Sequence, residues 1–157
     1  TAAVYVTQVE RFKSDTDTNV NVVKTTLLID LTGLRSTAAG DIIGKNGEGV
    51  AYIGQVTTAN QGTVFGVTMQ CLETPAGGDP DINLHSATEG TGVEDTPISN
   101  LTETLIINSG DLTAGSLVAG GDIAADQFLY LTAGATTDAD YTAGRLLITI
   151  IGYDVAS

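Results

Sequence analysis

Residues able to carry covalent or metal chemistry are few in this chain. It holds one His (His85), one Cys (Cys71), one Met (Met69) and no Trp among 157 residues. A Ser–His–acid or Cys–His site would have to use His85, because either nucleophile needs a base to take its proton. His85 lies in the polar stretch Asp81-Ile82-Asn83-Leu84-His85-Ser86, and no Gly-x-Ser-x-Gly elbow is present. The expectation is an exposed loop histidine. Cys71 sits in an alternating apolar run and reads as a small buried hydrophobe. One His and one Cys cannot build a typical structural zinc centre.

Carboxylates are plentiful, so calcium is the sharper question. Asp15-x-Asp17-x-Asn19 and Asp79-x-Asp81-x-Asn83 both match the opening of an EF-hand loop. Both then fail. The sixth position, where a sharp turn needs Gly, holds Val20 or Leu84, and the twelfth, where a bidentate Glu belongs, holds Thr26 or Gly90. Asp and Asn are also ordinary turn formers, and that reading is preferred. No cofactor or metal is assigned. The segment Gly40-Asp41-Ile42-Ile43-Gly44-Lys45-Asn46 is one residue short of a phosphate-binding loop and carries Asn46 where Ser or Thr is needed. A carboxylate pair for glycoside hydrolysis stays open, since any two acids can converge in space.

The elements that would position such groups are β-strands. Val, Ile and Thr number 13, 12 and 24, so 49 of 157 residues are β-branched. Such side chains suit pleated, half-buried surfaces. At 16.1 kDa the chain suits one domain, residues 1–157, with an aliphatic core. A single Cys rules out an internal disulfide and suits a reducing compartment. No stretch reaches the roughly 20 apolar residues of a membrane span. Thr1–Tyr5 shows no basic region followed by an apolar one, so no signal peptide is expected.

Charge is lopsided. Residues 46–144 contain no Lys or Arg but 13 acids, and the net charge is −13. Nucleic acid and anionic membranes, which attract basic patches, are disfavoured as partners. The basic residues Arg11, Lys13, Lys24 and Arg35 all lie in the N-terminal third.

Strands are expected over 3–12 and 20–31, with Val23, Thr25, Leu27, Ile29 and Leu31 on one face. Residues 50–56 and 65–71 read as an antiparallel pair. Residues 73–97 hold all three prolines and read as a long surface excursion. Further strands are expected over 98–108, 116–119, 127–133 and 145–153. Thr-Ala-Gly recurs at 113–115, 132–134 and 142–144, each beside a strand end, and reads as turn chemistry. Leu146–Ile151 is apolar on both faces, as in a central strand or one covered by another subunit. No helix is expected; Asp111–Asp126 is the nearest candidate, and Gly115, Gly120 and Gly121 argue against it.

The pattern implies an all-β fold: an antiparallel β-sandwich, a jelly roll or related Greek key, of about eight strands with a long loop at 73–97. The immunoglobulin Cys–Trp–Cys signature is absent.

Three features together resemble the small β-sandwich decoration, or cement, proteins on the heads of tailed bacteriophages, cyanophage-like viruses included. They are the immediate strand Ala3-Val4-Tyr5-Val6-Thr7, the Gly-, Ala- and Thr-rich acidic middle, and a hairpin from Gln127–Thr132 to Arg145–Tyr153. The resemblance implies a non-enzymatic structural protein of the virion, made in the bacterial host cytoplasm. It would bind the major capsid protein on the outer capsid surface as a dimer or trimer and tie shell subunits together. Arg11, Lys13, Lys24 and Arg35 are the expected shell contacts. The alternatives are a sugar- or receptor-binding β-module of a phage tail or cell surface, and a carboxylate hydrolase. Scarce aromatics weigh against the first, and scarce His and Cys against several common enzyme mechanisms.

Overall fold

The computed structural model of the chain describes residues 4–13 and 20–155. Its strands are β1 (Val4–Lys13), β2 (Val20–Asp30), β3 (Arg35–Ser36), β4 (Gly54–Gln55), β5 (Thr63–Ala76), β6 (Ile82–Ala87), β7 (Glu103–Ile107), β8 (Leu117–Gly120), β9 (Phe128–Ala133), β10 (Ala139–Asp140) and β11 (Ala143–Val155). A five-stranded sheet runs β1-β2-β11-β5-β8 and a four-stranded sheet β4-β9-β6-β7, with β10-β3 as a small third ladder. Every pairing of strands is antiparallel. The expected antiparallel β-sandwich is therefore what the chain forms.

The two sheets share one core. Leu27 and Ile29 of β2, Val67, Met69 and Cys71 of β5, and Leu146, Ile148 and Ile150 of β11 meet Ile82 and Leu84 of β6, Ile107 of β7, and Leu129 and Leu131 of β9. In β2 and β11 burial alternates residue by residue, because one face meets the core and the other faces outward. The expected inward set Val23, Thr25, Leu27, Ile29 and Leu31 is buried throughout. At one corner the sheets close tightly: a Cβ on Gly120 of β8 would lie 2.8 Å from Ile107 Cγ1 of β7.

The four-stranded sheet differs, its central strands β6 and β9 being buried on both faces. Ala87 and Tyr130 on its outer side pack with Ile42, Ala51 and Ile98, and Tyr52, Leu101 and Phe128 lie against them. Loop 88–102 is pinned there by Tyr130. Its hydroxyl donates to Glu89 O (2.8 Å) and accepts from Gly92 N (3.1 Å). The Glu89 carboxylate accepts from Thr102 N and Oγ1, both at 2.8 Å. Gly92 is required by close approach, since a Cβ there would lie 2.7 Å from Ile42 Cδ1 and 2.8 Å from Tyr130 Cε1.

This double burial corrects several expectations. Residues 73–97 are no surface excursion: they hold the end of β5 and all of β6, a central strand. A strand buried on both sides has no period-two signal, and three nearby prolines masked it further. Residues 50–56 do not pair with 65–71. Instead β4 pairs with β9, while β5 lies between β11 and β8. Segments 127–132 and 145–153 form no hairpin, because β9 and β11 belong to opposite sheets. Residues 98–108 open with a 3-10 turn over Ile98–Asn100 before β7. A one-turn helix, α1 (Thr58–Gln61), was not expected. Thr57 Oγ1 caps it from Asn60 N (3.3 Å), and Gln61 Oε1 accepts from Thr57 N (2.8 Å).

Leu146–Ile151 is central in its sheet, with Leu146, Ile148 and Ile150 inward and Leu147 and Ile151 half-buried on the far side. Truncating Ile148 to Ala should cost about 2–5 kcal/mol, whereas Leu147→Ala on the outer face should cost well under half as much. Chemical denaturation of the two variants checks this, and equal losses would mean that the outer face is covered.

Candidate functional sites

Each residue singled out for chemistry has a definite place in this framework. His85 lies on β6, not on an exposed loop; it is buried, with 8% of its surface exposed. Its Nδ1 is 2.7 Å from Glu103 Oε2 across the β6–β7 ladder. No hydroxyl or thiol is bonded to its Nε2 among the described residues. The pair has an imidazole and an orienting acid and lacks a hydrogen-bonded nucleophile. Cys71 is buried, its Sγ 3.2 Å from Glu73 O, and burial pushes its thiol pKa up. The reactive thiolate is thereby disfavoured.

Of the two EF-hand-like openings, Asp15–Asn19 lies outside the described residues. Asp79–Asp81 leads into β6, which holds Asn83. Asp79 is buried; its Oδ1 accepts from Asp81 N (3.1 Å), its Oδ2 from Ala135 N (2.6 Å), and its carbonyl from the Tyr141 hydroxyl (2.6 Å). Asn83 Oδ1 accepts from Ser109 N at 3.0 Å. Asp79 Oδ1 thus makes a local turn contact with Asp81, while Asp79 Oδ2 and Asn83 Oδ1 bind backbone far away in sequence. No group of three or more His, Cys, Asp or Glu able to hold a metal occurs among the described residues. In the segment resembling a phosphate loop, Asp41 turns back onto its own loop, accepting from Thr37 Oγ1 (3.0 Å) and Ala38 N (3.2 Å).

The four basic residues expected to meet a partner are not brought together. Arg11 reaches the inner side of its sheet, pairs with Asp154 and donates to Ala59 O of α1 at 2.6 Å. Lys13 pairs in the β1–β2 ladder with Asn21. Lys24 stands between Glu10 and Ile151 on the outer face. Arg35, on β3, is held by Asp138 (2.5 Å) and Asp140 (3.1 Å).

The register instead assembles a surface that sequence reading missed. Across the outer face of the five-stranded sheet, one row is Leu28, Leu147, Gln70 and Leu117, and the next is Gln8, Thr26, Thr149, Thr68 and Ala119. Then come Glu10, Lys24, Ile151 and Gly66, and last Phe12, Val22, Tyr153 and Thr63. A bulge in β5 sets Phe65 beside Tyr153, with ring centroids 6.2 Å apart. Phe12, Phe65 and Tyr153 are 51%, 56% and 40% exposed, and Leu117 is 62% exposed. No described helix or strand packs over this face. Apolar residues on the outward positions of β11, Leu147, Ile151 and Tyr153, were a usable signal; the bulge that recruits Phe65 was not.

No protein-family model, no curated protein and no solved structure matches this chain.

Two acids give testable electrostatics. Asp81 has its carboxyl pKa raised by burial, then by Asp79 and Asp111, and its Oδ1 is buried with no hydrogen-bond partner. A folded value above the ordinary 3.8 means that its stabilising contribution is complete below that pH and is lost as pH rises through the folded value. Asp81→Asn should therefore raise Tm at pH 7, and the gain should vanish near pH 3.5; scanning calorimetry at both pH values checks this. Glu89 has the opposite sign: hydrogen bonds from Thr102 lower its pKa. Glu89→Gln should speed amide exchange across loop 88–102 at pH 7, measured by hydrogen–deuterium exchange, while leaving β11 protected.

Proposed function

We propose that this chain is a non-enzymatic decoration protein on the outer surface of a tailed-phage head, and that it docks on the major capsid protein through the outer face of its five-stranded sheet. The observation that carries this reading is the uncovered apolar surface around Phe12, Val22, Phe65 and Tyr153. Exposed aromatic clusters of this kind mark association surfaces, and aromatics dominate interface energetics. Lys24 and Glu10, opposite each other in the ladder, put one charge of each sign within the face, and complementary charges set orientation. β1 and β2, the strands expected to meet the shell, form one edge of this surface. The acids of the remaining two-thirds of the chain favour solubility on the solvent side. Assembly as a dimer or trimer belongs to the same proposal. Repetition around a shell would turn modest single contacts into strong avidity.

A second reading, a sugar- or receptor-binding module, draws on a cleft of about 360 Å³ lined by Ser86, Thr104, Asp122 and Gln127 among others. Its lining offers hydroxyls, an amide, the carboxylates of Glu103 and Asp122 and no Lys or Arg, which suits a polar ligand without negative charge. Saturable binding on a glycan array, abolished by Gln127→Ala, would favour it.

The deciding experiment mixes purified protein with undecorated phage heads and images them. Wild-type protein should occupy regular shell positions. Phe65→Asp and Tyr153→Asp should each lower occupancy at least tenfold while leaving the circular dichroism spectrum unchanged. Unchanged occupancy would remove the outer face from the docking role, and no binding to any head would end the proposal.

A further inference from the structure

We infer that Asn46 is a site of spontaneous self-modification, where the chain converts a neutral amide into a carboxylate through its own backbone. Lys45–Glu48 is a tight turn closed by Glu48 N to Lys45 O at 3.1 Å and spanned by the Lys45–Glu48 ion pair at 3.0 Å. Gly47 occupies its third position with φ +75°, a conformation that favours glycine. Asn46 and Gly47 are both exposed. A Cβ on Gly47 would have nothing within 4 Å, so its nitrogen is approached without steric hindrance. Gly47 N also donates to no acceptor in the structure.

The chemistry balances within the chain and water. Gly47 N attacks Asn46 Cγ; the N–Cγ bond forms, the Cγ–Nδ2 bond breaks, and the Gly47 amide proton leaves with the side-chain nitrogen as ammonia. The resulting five-membered succinimide is opened by one water at either carbonyl, giving Asp or isoaspartate at position 46. Intramolecular attack needs no enzyme, because tethering supplies a very high effective concentration. Removing the amide proton makes the nitrogen nucleophilic, so base accelerates the step. The charged side chains on this turn are Lys45 and Glu48, already paired with each other.

The structure distinguishes Asn46 from the other described asparagines. After Asn60, Gln61 N is bonded to Thr57 O at 2.8 Å; after Asn100, Leu101 N is bonded to Ile98 O at 2.9 Å. After Asn108, Ser109 N is bonded to Asn83 Oδ1 at 3.0 Å. Asn21 is flanked on both sides by ladder partners, and Asn83 pairs with Thr132 and is followed by Leu84, which is paired on both sides. Each of these also precedes a residue with a side chain, which crowds the attacking nitrogen. The modification would add one negative charge to the formal −13. It would stay local, because Gly44 is wedged where a Cβ would lie 2.8 Å from Ala51 Cβ, and its carbonyl accepts from Arg35 N at 2.8 Å.

The test incubates the full chain at 37 °C at pH 8.5 and at pH 5, followed by peptide mass mapping and isoaspartate-specific methyl transfer. Position 46 should gain about 1 Da at pH 8.5 at least tenfold faster than position 60, 100 or 108, and faster than at pH 5. Asn46→Gln should abolish the methyl-acceptor signal at this peptide and keep the fold. In urea the rates at 60, 100 and 108 should rise more than the rate at 46. An unmodified Asn46, or one modified no faster than Asn108, would overturn the inference.

Discussion

The fold depends on the docking of β11 between β2 and β5. Its residues pair with β2 from Arg145 to Val155 and with β5 from Ala143 to Tyr153, so both backbone edges of one strand are satisfied by segments far away in sequence. The same strand drives Leu146, Ile148 and Ile150 into the shared core. Hydrogen bonding and burial are thus coupled in one element. Without β11, β2 and β5 would expose their inner rows and two open edges. Such non-local closure costs loop entropy before it is rewarded, so this is a topology that folds slowly.

The two sheets resolve burial differently, and the difference shapes function. The central strands of the four-stranded sheet are covered on their outer side by the segments around Ile42, Ala51 and Ile98, with Tyr130 pinning loop 88–102. Its one imidazole is locked behind Glu103. The five-stranded sheet has no such cover among the described elements and presents aromatic and aliphatic side chains around a threonine-rich centre. One sheet thus leaves its outer face open, while the central strands of the other are packed on both sides.

Electrostatics serve the same division. Arg11 ties β1 to β11 and α1 through Asp154 and Ala59, and Arg35 clips β3 to the β10 region through Asp138 and Asp140. Arg145 sits 3.9 Å from Asp30 and 3.7 Å from Glu73 on its two neighbouring strands. Of the four cations that read along the chain as a basic end for a partner, Arg11 and Arg35 are engaged in intramolecular ion pairs. Exposed pairs of this kind add little stability singly, and their value here is in orienting strands. Asp79 organises the buried bend before β6, binding backbone on both carboxylate oxygens, while burial and neighbouring acids raise the pKa of Asp81 beside it.

Composition and period-two patterning were enough to establish an antiparallel β-sandwich, the strands β1, β2, β8, β9 and β11 to within a few residues, and the inward row of β2. Those features are local: a half-buried strand writes its own alternation into adjacent residues. At Asp79 only the contact with Asp81 N needs nearby atoms; Ala135 N and Ser109 N, which bind Asp79 Oδ2 and Asn83 Oδ1, lie far along the chain. Partner choice between strands lay beyond local signals. That β9 joins β6 while β11 joins β2 and β5, that 82–87 is a core strand, and that His85 meets Glu103 all follow from side chains far apart in sequence sharing one core. The apolar outer face arose in the same way. Phe12, Val22, Phe65 and Tyr153 come from four strands, and only register and a single bulge, set by packing on the opposite side of the sheet, make them neighbours.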